Sequence, residues 1–353
     1  MSHMRDVIPT TQGPVLEARD LRVWYATDRG PVRAVDGVSF TLRRGEILGL
    51  VGESGCGKST LGRGLIGLLP DGAARDGELT FEGRDLLRLS AREQRDLRGT
   101  DLAMIFQEPL TRLNPLMRIS EHFEETLRTH EPGIDKAEAK SRALAVLRVM
   151  GIPPTRYRAY PHEFSGGMRQ RLMIALALVL RPAFVVADEP TTALDVLVEA
   201  QIIRILHDLR REFDTSLLLI THNLGIIAEA CDRVAVMYAG EIVEIGDAKA
   251  VFSHPKHPYT RELLRSTISL STTGLHYIDG APPDLVEPPS GCHFHPRCPD
   301  AMAVCAVRDP VDRDHGDGHR AACWATDVAE GLHLDDQERA PLTREEIAVA
   351  DEA

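Results

Sequence analysis

Apolar and polar positions follow two different rhythms along this chain. In the N-terminal part they keep the two-residue repeat of strands, in Val15-Leu16-Glu17-Ala18, Leu21-Arg22-Val23-Trp24-Tyr25 and Val35-Asp36-Gly37-Val38-Ser39-Phe40. Turn residues separate these runs, which predicts an antiparallel β region leading into the apolar strand 47–51. A helix is predicted from Lys58 to about Leu69, ended by the turn signal Pro70-Asp71-Gly72. Residues 101–106 read as a short buried strand. From Ile119 to Met150 the rhythm becomes helical and charged, broken at Pro132-Gly133.

The helical repeat returns from Gly166 to Leu180 and closes at Arg181-Pro182. The apolar runs 184–187 and 217–220 predict two more strands, with a helix from Asp195 to Arg211 between them. Strands alternating with helices imply an α/β fold with a parallel sheet covered on both faces. Residues 234–237 and 241–244 read as a hairpin turning at Gly240. Beyond about residue 252 proline, histidine and cysteine become dense, which predicts a boundary near 250–255.

Composition narrows the class. The chain has 353 residues, 43% hydrophobic and 27% charged, as expected for a soluble protein of about two domains. No apolar run is long enough to span a bilayer, and the first residues lack a signal-peptide core, so a cytoplasmic location is expected. The net charge of −12 argues against a nucleic-acid binder. Acidic residues from Asp335 to Glu352 predict a solvated tail over 326–353. Four of the six cysteines fall between 292 and 323, a clustering that points to a metal or redox site in a cytoplasmic protein.

The strongest chemical signal is Gly52-Glu53-Ser54-Gly55-Cys56-Gly57-Lys58-Ser59, directly after strand 47–51. Glycines permit the backbone turns that aim N–H groups at phosphate oxygens, at the mouth of a helix. Gly52, Ser54, Gly55, Cys56, Gly57, Lys58, Ser59 and Thr60 are therefore the candidate phosphate-binding residues. Lys58 can reach the β- and γ-phosphates and Ser59 can ligate Mg²⁺. About 130 residues on, the apolar run 184–187 ends in Asp188 and Glu189. Asp188 is placed to hold Mg²⁺ through water, and Glu189 to polarise an attacking water.

Between these motifs lies Phe164-Ser165-Gly166-Gly167-Met168. The sequence here resembles the nucleotide-binding subunits of ABC transporters, whose signature is Leu-Ser-Gly-Gly-Gln; Phe replaces Leu and Met replaces Gln. The resemblance implies the P-loop ABC ATPase cassette fold: a mixed-sheet core, an antiparallel β subdomain and a helical subdomain over about 108–180. It also implies that Ser165, Gly166 and Gly167 face ATP bound to a second ATPase subunit, in a head-to-tail dimer. Gln107 takes the place of the glutamine that senses Mg²⁺ and the permease, Asp195 that of the loop crossing the dimer interface, and His222 that of the switch histidine at the γ-phosphate. Tyr25 matches the aromatic residue that stacks on adenine, with Trp24 beside it as the alternative.

Three further stretches resemble the oligopeptide and dipeptide importers: Gln107 to Pro115, His257 to Leu264, and Gly291-Cys292-His293-Phe294-His295-Pro296-Arg297-Cys298. The resemblance implies an ATP-hydrolysing subunit of a peptide importer, with a cassette over 15–252 and a C-terminal extension over 253–325. Its partners would be two membrane permeases, an extracytoplasmic substrate-binding protein and a related second ATPase, and its place the cytoplasmic face of the membrane. Nickel chelates, glutathione and oligosaccharides are alternative cargoes. A soluble ABC ATPase acting on DNA or ribosomes would need a long coiled coil or tandem cassettes, and neither is present. Cys292, Cys298, Cys305 and Cys323 suit zinc or an iron–sulfur cluster; the resemblance favours [4Fe–4S], and four reduced buried thiols are the alternative.

Overall fold

The computed structural model describes residues 13–106, 113–190, 196–266 and 276–342. The chain opens with the hairpin β1 (Leu16–Thr27) and β2 (Gly30–Leu42), then the phosphate-loop strand β3 (Ile47–Val51). A second antiparallel pair follows, β4 (Ala73–Phe81) and β5 (Arg84–Asp85). Next come β6 (Leu102–Ile105), β7 (Phe184–Asp188), β8 (Ser216–Ile220), β9 (Arg233–Tyr238) and β10 (Glu241–Asp247). The last two strands, β11 (Asp312–Asp314) and β12 (Arg320–Ala322), belong to the C-terminal extension.

These strands form two sheets. The smaller runs β2-β1-β4-β5 and is antiparallel throughout. The larger runs β11-β12-β10-β9-β3-β8-β7-β6. Its centre is parallel: β3 pairs with β8 and β9, and β7 with β6 and β8. Every residue of β3, β6, β7 and β8 is buried, as a sheet covered on both faces requires.

The period of two along these strands divides the core. Leu48, Leu50, Phe184, Val186, Leu218 and Ile220 face one side, where they meet Leu16, Val23 and Phe81 of the small sheet. Their neighbours Ile47, Val51, Val185, Ala187, Leu217 and Leu219 face the other side and pack with the helices. Those helices include Ile119–His130, Lys136–Val149, Gly166–Leu178 and Val196–Phe213. The break at Pro132-Gly133 falls where the sequence places it, between the first two.

The helix after the phosphate loop is shorter than its pattern predicts: it spans Lys58–Leu65 and stops a turn before Leu69. Gly67 has φ +67, and the N–H groups of Gly67 and Leu68 donate back to the carbonyls of Gly64 and Arg63. This glycine cap ends the helix before the proline is reached.

The change of composition near residue 252 is not a break in packing. β12 pairs antiparallel with β10, through Glu244↔Ala321 and Ile245↔Arg320, so the extension lengthens the catalytic sheet. Tyr259 and Phe294 are fully buried in the same core as Val51 and Leu219. A small separate core of Val304, Cys305, Trp324 and Leu334 closes the C-terminal lobe. The expected solvated tail over 326–353 is thereby corrected in its described part: residues up to 342 pack on the lobe, with the Ala303 and Val304 N–H groups donating to the Ala340 and Glu338 carbonyls.

Candidate functional site

The parallel strands deliver the chemistry at their C-terminal ends. β3 runs into the loop 52–57 and then the helix Lys58–Leu65. Gly57 has φ +107, and a Cβ there would lie 1.9 Å from the Ala34 carbonyl oxygen, so no other residue fits. Cys56 is buried, with its thiol pushed up by that burial, whereas Ser54 and Gly55 are exposed at the loop's rim.

Lys58 is buried, and its ammonium donates to the carbonyls of Gly52 at 2.8 Å and Glu53 at 2.7 Å. The cation is held inside the loop, within reach of whatever the loop encloses. The next residue, Ser59, donates its hydroxyl to Asp188 Oδ1 at 2.9 Å. The two groups expected to share Mg²⁺ thus stand side by side. Asp188 is 2% exposed, and burial pushes its carboxyl up, against the hydrogen bond from Ser59 and the charge of Arg63. Such a carboxylate gains from a cation beside it. Thr60 accepts from the Tyr25 hydroxyl at 3.3 Å, which ties the small sheet's aromatic edge to the first turn of the phosphate helix.

Glu189 follows directly, at the end of β7. Its backbone is in the left-handed region at φ +46, held by an N–H donated to the Ile220 carbonyl at 2.9 Å. For a non-glycine residue such a conformation costs roughly 1–3 kcal/mol and is typical of functional sites. His222 Nδ1 lies 3.7 Å from Glu189 Oε1, and the imidazole is largely exposed. Lys58, Ser59, Asp188, Glu189 and His222 are therefore gathered at the ends of three adjacent strands.

Ser165 caps the helix Gly166–Leu178, accepting from the Met168 N–H at 3.4 Å. Ser165 and Gly166 are exposed, with open space where a Gly166 Cβ would stand. Gly167 is half-buried. A second glycine-opened helix start thus faces outward. Gln107 and Asp195 lie outside the described residues. Trp24 carries the Arg33 guanidinium 5.5 Å from its ring centroid, so Tyr25 is the aromatic residue joined to the phosphate helix.

Two contacts were not legible in the sequence. Arg297 forms a bidentate ion pair with Glu53 of the loop, at 2.7 and 3.0 Å. The Tyr259 hydroxyl accepts from the Glu53 N–H at 2.8 Å. Partners 244 and 206 residues apart leave no local pattern to read.

The four clustered cysteines are free thiols. Burial pushes all four up, and their charges would act on one another, so they share one region. Among the described residues, however, no group of three or more His, Cys, Asp or Glu is placed to hold a metal ion. Neither the expected [4Fe–4S] cluster nor its zinc alternative is therefore supported by the geometry of these cysteines. His319 Nε2 is committed to Glu244 at 2.7 Å, whereas His295 has Nδ1 3.0 Å from the Cys292 carbonyl and a buried Nε2 without a hydrogen-bond partner among the described residues.

A phosphate loop and an acidic pair on neighbouring parallel strands, in this order, define the class: a P-loop nucleoside triphosphatase. Comparison with known proteins narrows it. Residues 35–192 match the ABC transporter family, and residues 243–305 match the oligopeptide/dipeptide transporter C-terminal region. The chain is 47% identical, over 89% of its length and 95% of the relative's, to the dipeptide transport ATP-binding protein DppD of Bacillus subtilis. It is 48% identical, over 90% of its length and 95% of the relative's, to the oligopeptide transport ATP-binding protein OppD of Salmonella typhimurium. Among solved structures it resembles the dimeric ATP-binding cassette MJ0796 bound to ADP and Pi, with a TM-score of 0.59 and 25% identity over 66% of this chain and 98% of that one. It also resembles cbiO1 of Clostridium perfringens, with a TM-score of 0.59 and 26% identity over 69% of this chain and 92% of that one. This chain belongs to the ABC transporter family, as an ATP-hydrolysing importer subunit.

Proposed function

We propose that this chain drives uptake of di- and oligopeptides, as one of two ATPase subunits on a pair of membrane permeases fed by an extracytoplasmic binding protein. The observation that carries the ATPase half is the gathering of Lys58, Ser59 with Asp188, and Glu189 with His222 at three adjacent strand ends. Lys58 would neutralise phosphate charge, Ser59 and Asp188 would hold Mg²⁺, the latter through water, Glu189 would polarise the attacking water, and His222 would contact the γ-phosphate. Phosphoryl transfer needs little covalent help, so positioned charge suffices. Gln107 and Asp195 are proposed to add the permease link and the interface crossing.

The peptide half is supported by the dipeptide and oligopeptide transport relatives and by the matched C-terminal region. The outward-facing Ser165 and Gly166 support a composite pocket completed by a second subunit, a related heterodimer partner. A cavity of about 200 Å³ opens between the edge strand β6 and the helical region, lined by Leu68, Arg98, Phe106, Thr126, Leu176 and Leu180. It is the proposed seat of a permease coupling helix. Among the described residues no helix is long and apolar enough to cross a membrane, and we place the chain peripherally at the cytoplasmic face. We further propose that Cys292, Cys298, Cys305 and Cys323 hold a [4Fe–4S] cluster. Iron analysis and visible absorbance after anaerobic purification test this, and an iron-free colourless protein would overturn it.

The transport reading is tested by reconstituting the complex in proteoliposomes with labelled dipeptide. Uptake should require MgATP and vanish in Glu189→Gln, with phosphate release falling by at least about 100-fold. Uptake of a nickel chelate, with none of dipeptide, would replace the cargo and keep the ATPase. Undiminished ATPase activity in Glu189→Gln would remove Glu189 from its role.

A further inference from the structure

Glu53 sits inside the phosphate loop, yet its polar groups are held largely from outside the cassette. Its N–H donates to the Tyr259 hydroxyl at 2.8 Å. Its carboxylate receives Nη1 and Nη2 of Arg297 at 2.7 and 3.0 Å. Its carbonyl receives the Lys58 ammonium at 2.7 Å. Two of these three grips come from the C-terminal extension. The third is the cation that must meet the nucleotide's phosphates.

Both grips are themselves anchored. The Arg297 side chain is 4% exposed, against 24% for Glu53. Its remaining donors are used: Nε on the Asp279 carbonyl at 2.9 Å, Nη1 also on the Tyr238 hydroxyl at 3.3 Å, and Nη2 also on the Ile278 carbonyl at 3.4 Å. Tyr259 is fully buried and packs on Tyr238 and Phe294, with ring centroids 4.6 and 5.3 Å away. A buried guanidinium fork on a carboxylate fixes direction as well as charge, which a lysine would not do. The chain of contacts from Arg297 through Glu53 to Lys58 therefore sets where the ammonium waits.

We propose that Arg297 and Tyr259 are positioning residues for nucleotide binding, through which the C-terminal extension holds the phosphate loop in its ATP-receiving shape and sets the affinity for MgATP. This rests on the reading of loop 52–59 as the nucleotide site.

The test is equilibrium binding of a fluorescent MgATP analogue to the full-length chain. Arg297→Ala and Glu53→Ala should each weaken binding about tenfold, and the double variant should lose no more than about twofold beyond either, because both remove one contact. Tyr259→Phe keeps the packing and removes only the hydroxyl, so it carries the test should Arg297→Ala not fold; it too should bind more weakly. In the transporter complex, KM for ATP should rise in these variants while kcat stays within about twofold. Arg29→Ala breaks a different tie of the extension to the cassette, the Arg29–Asp284 pair at 2.6 Å, and should bind like the parent. Lys58→Ala reports on the underlying reading: if it binds nucleotide normally, the site itself is misassigned. If Lys58→Ala loses binding while Arg297→Ala or Tyr259→Phe keeps the parent's affinity, or if the single losses multiply in the double variant, the proposal is overturned.

Discussion

At the scale of single residues, two glycines of the phosphate loop meet opposite surroundings. Gly57, at φ +107, has the Ala34 carbonyl oxygen 1.9 Å from where a Cβ would stand. Gly55, at φ +84, has open space there. Gly57→Ala must displace backbone, so it should cost at least about 3 kcal/mol and abolish nucleotide binding. Gly55→Ala carries only the left-handed penalty, roughly 1–2 kcal/mol. Urea unfolding of both variants checks this, and equal losses would contradict the packing described. Asp188 makes a related point. Its carboxyl is pushed up by burial and faces Ser59, so Asp188→Asn should be close to neutral for stability while Mg²⁺-dependent ATP hydrolysis is lost. Titrating Mg²⁺ against phosphate release measures it. Wild-type turnover in that variant would move the metal elsewhere.

At the scale of elements, most of the cassette is legible because it obeys simple periods. The all-apolar runs at 47–51, 184–187 and 217–220 fit buried strands, and they are the strands that carry the site. The antiparallel pair β4–β5 and the helix Ala91–Leu97 escape such a reading. β4 alternates exposed and half-buried positions with little apolar signal until Leu79. The helix buries only Leu97 and is announced by its capping box, in which the Glu93 N–H donates to Ser90 Oγ and the Glu93 carboxylate receives the Ser90 N–H. The strands β11 and β12 are three residues each, and β12 meets β10 at long range, so nothing local marks them. The helix Pro258–Arg265 is the opposite case. Its proline stands at the first helical position, and His257 Nδ1 caps it by accepting from the Tyr259 N–H at 3.0 Å.

That cap makes an element-scale prediction about pH. His257 is fully buried, and burial lowers it from 6.5 to about 4, against the opposing charge of Glu244. A group with a depressed folded value binds protons more readily when unfolded. Its neutral form therefore supports the fold fully above about pH 6.5, and the support drains as pH falls toward 4, by up to about 3 kcal/mol. His257→Asn can keep the cap without the titration, so its stability should fall less steeply over that window. Thermal unfolding between pH 7 and pH 4 measures the slopes; parallel slopes would refute the assignment.

For the whole molecule, the extension and the cassette share a sheet and a core, although composition divides them near residue 252. Phe294→Ala should therefore destabilise the whole chain by about 3–5 kcal/mol in one cooperative transition. A separate early transition, with the cassette's melting unchanged, would show the lobe to be independent. In the proposed assembly, the outward signature of one subunit completes the phosphate loop of another. The direct measurement places a photoreactive residue at Ser165 in the Glu189→Gln chain, within its transporter complex, with and without MgATP. An ATP-dependent intersubunit adduct on the partner's phosphate loop is expected. Adducts confined to the chain's own loop, or formed equally without nucleotide, would contradict it.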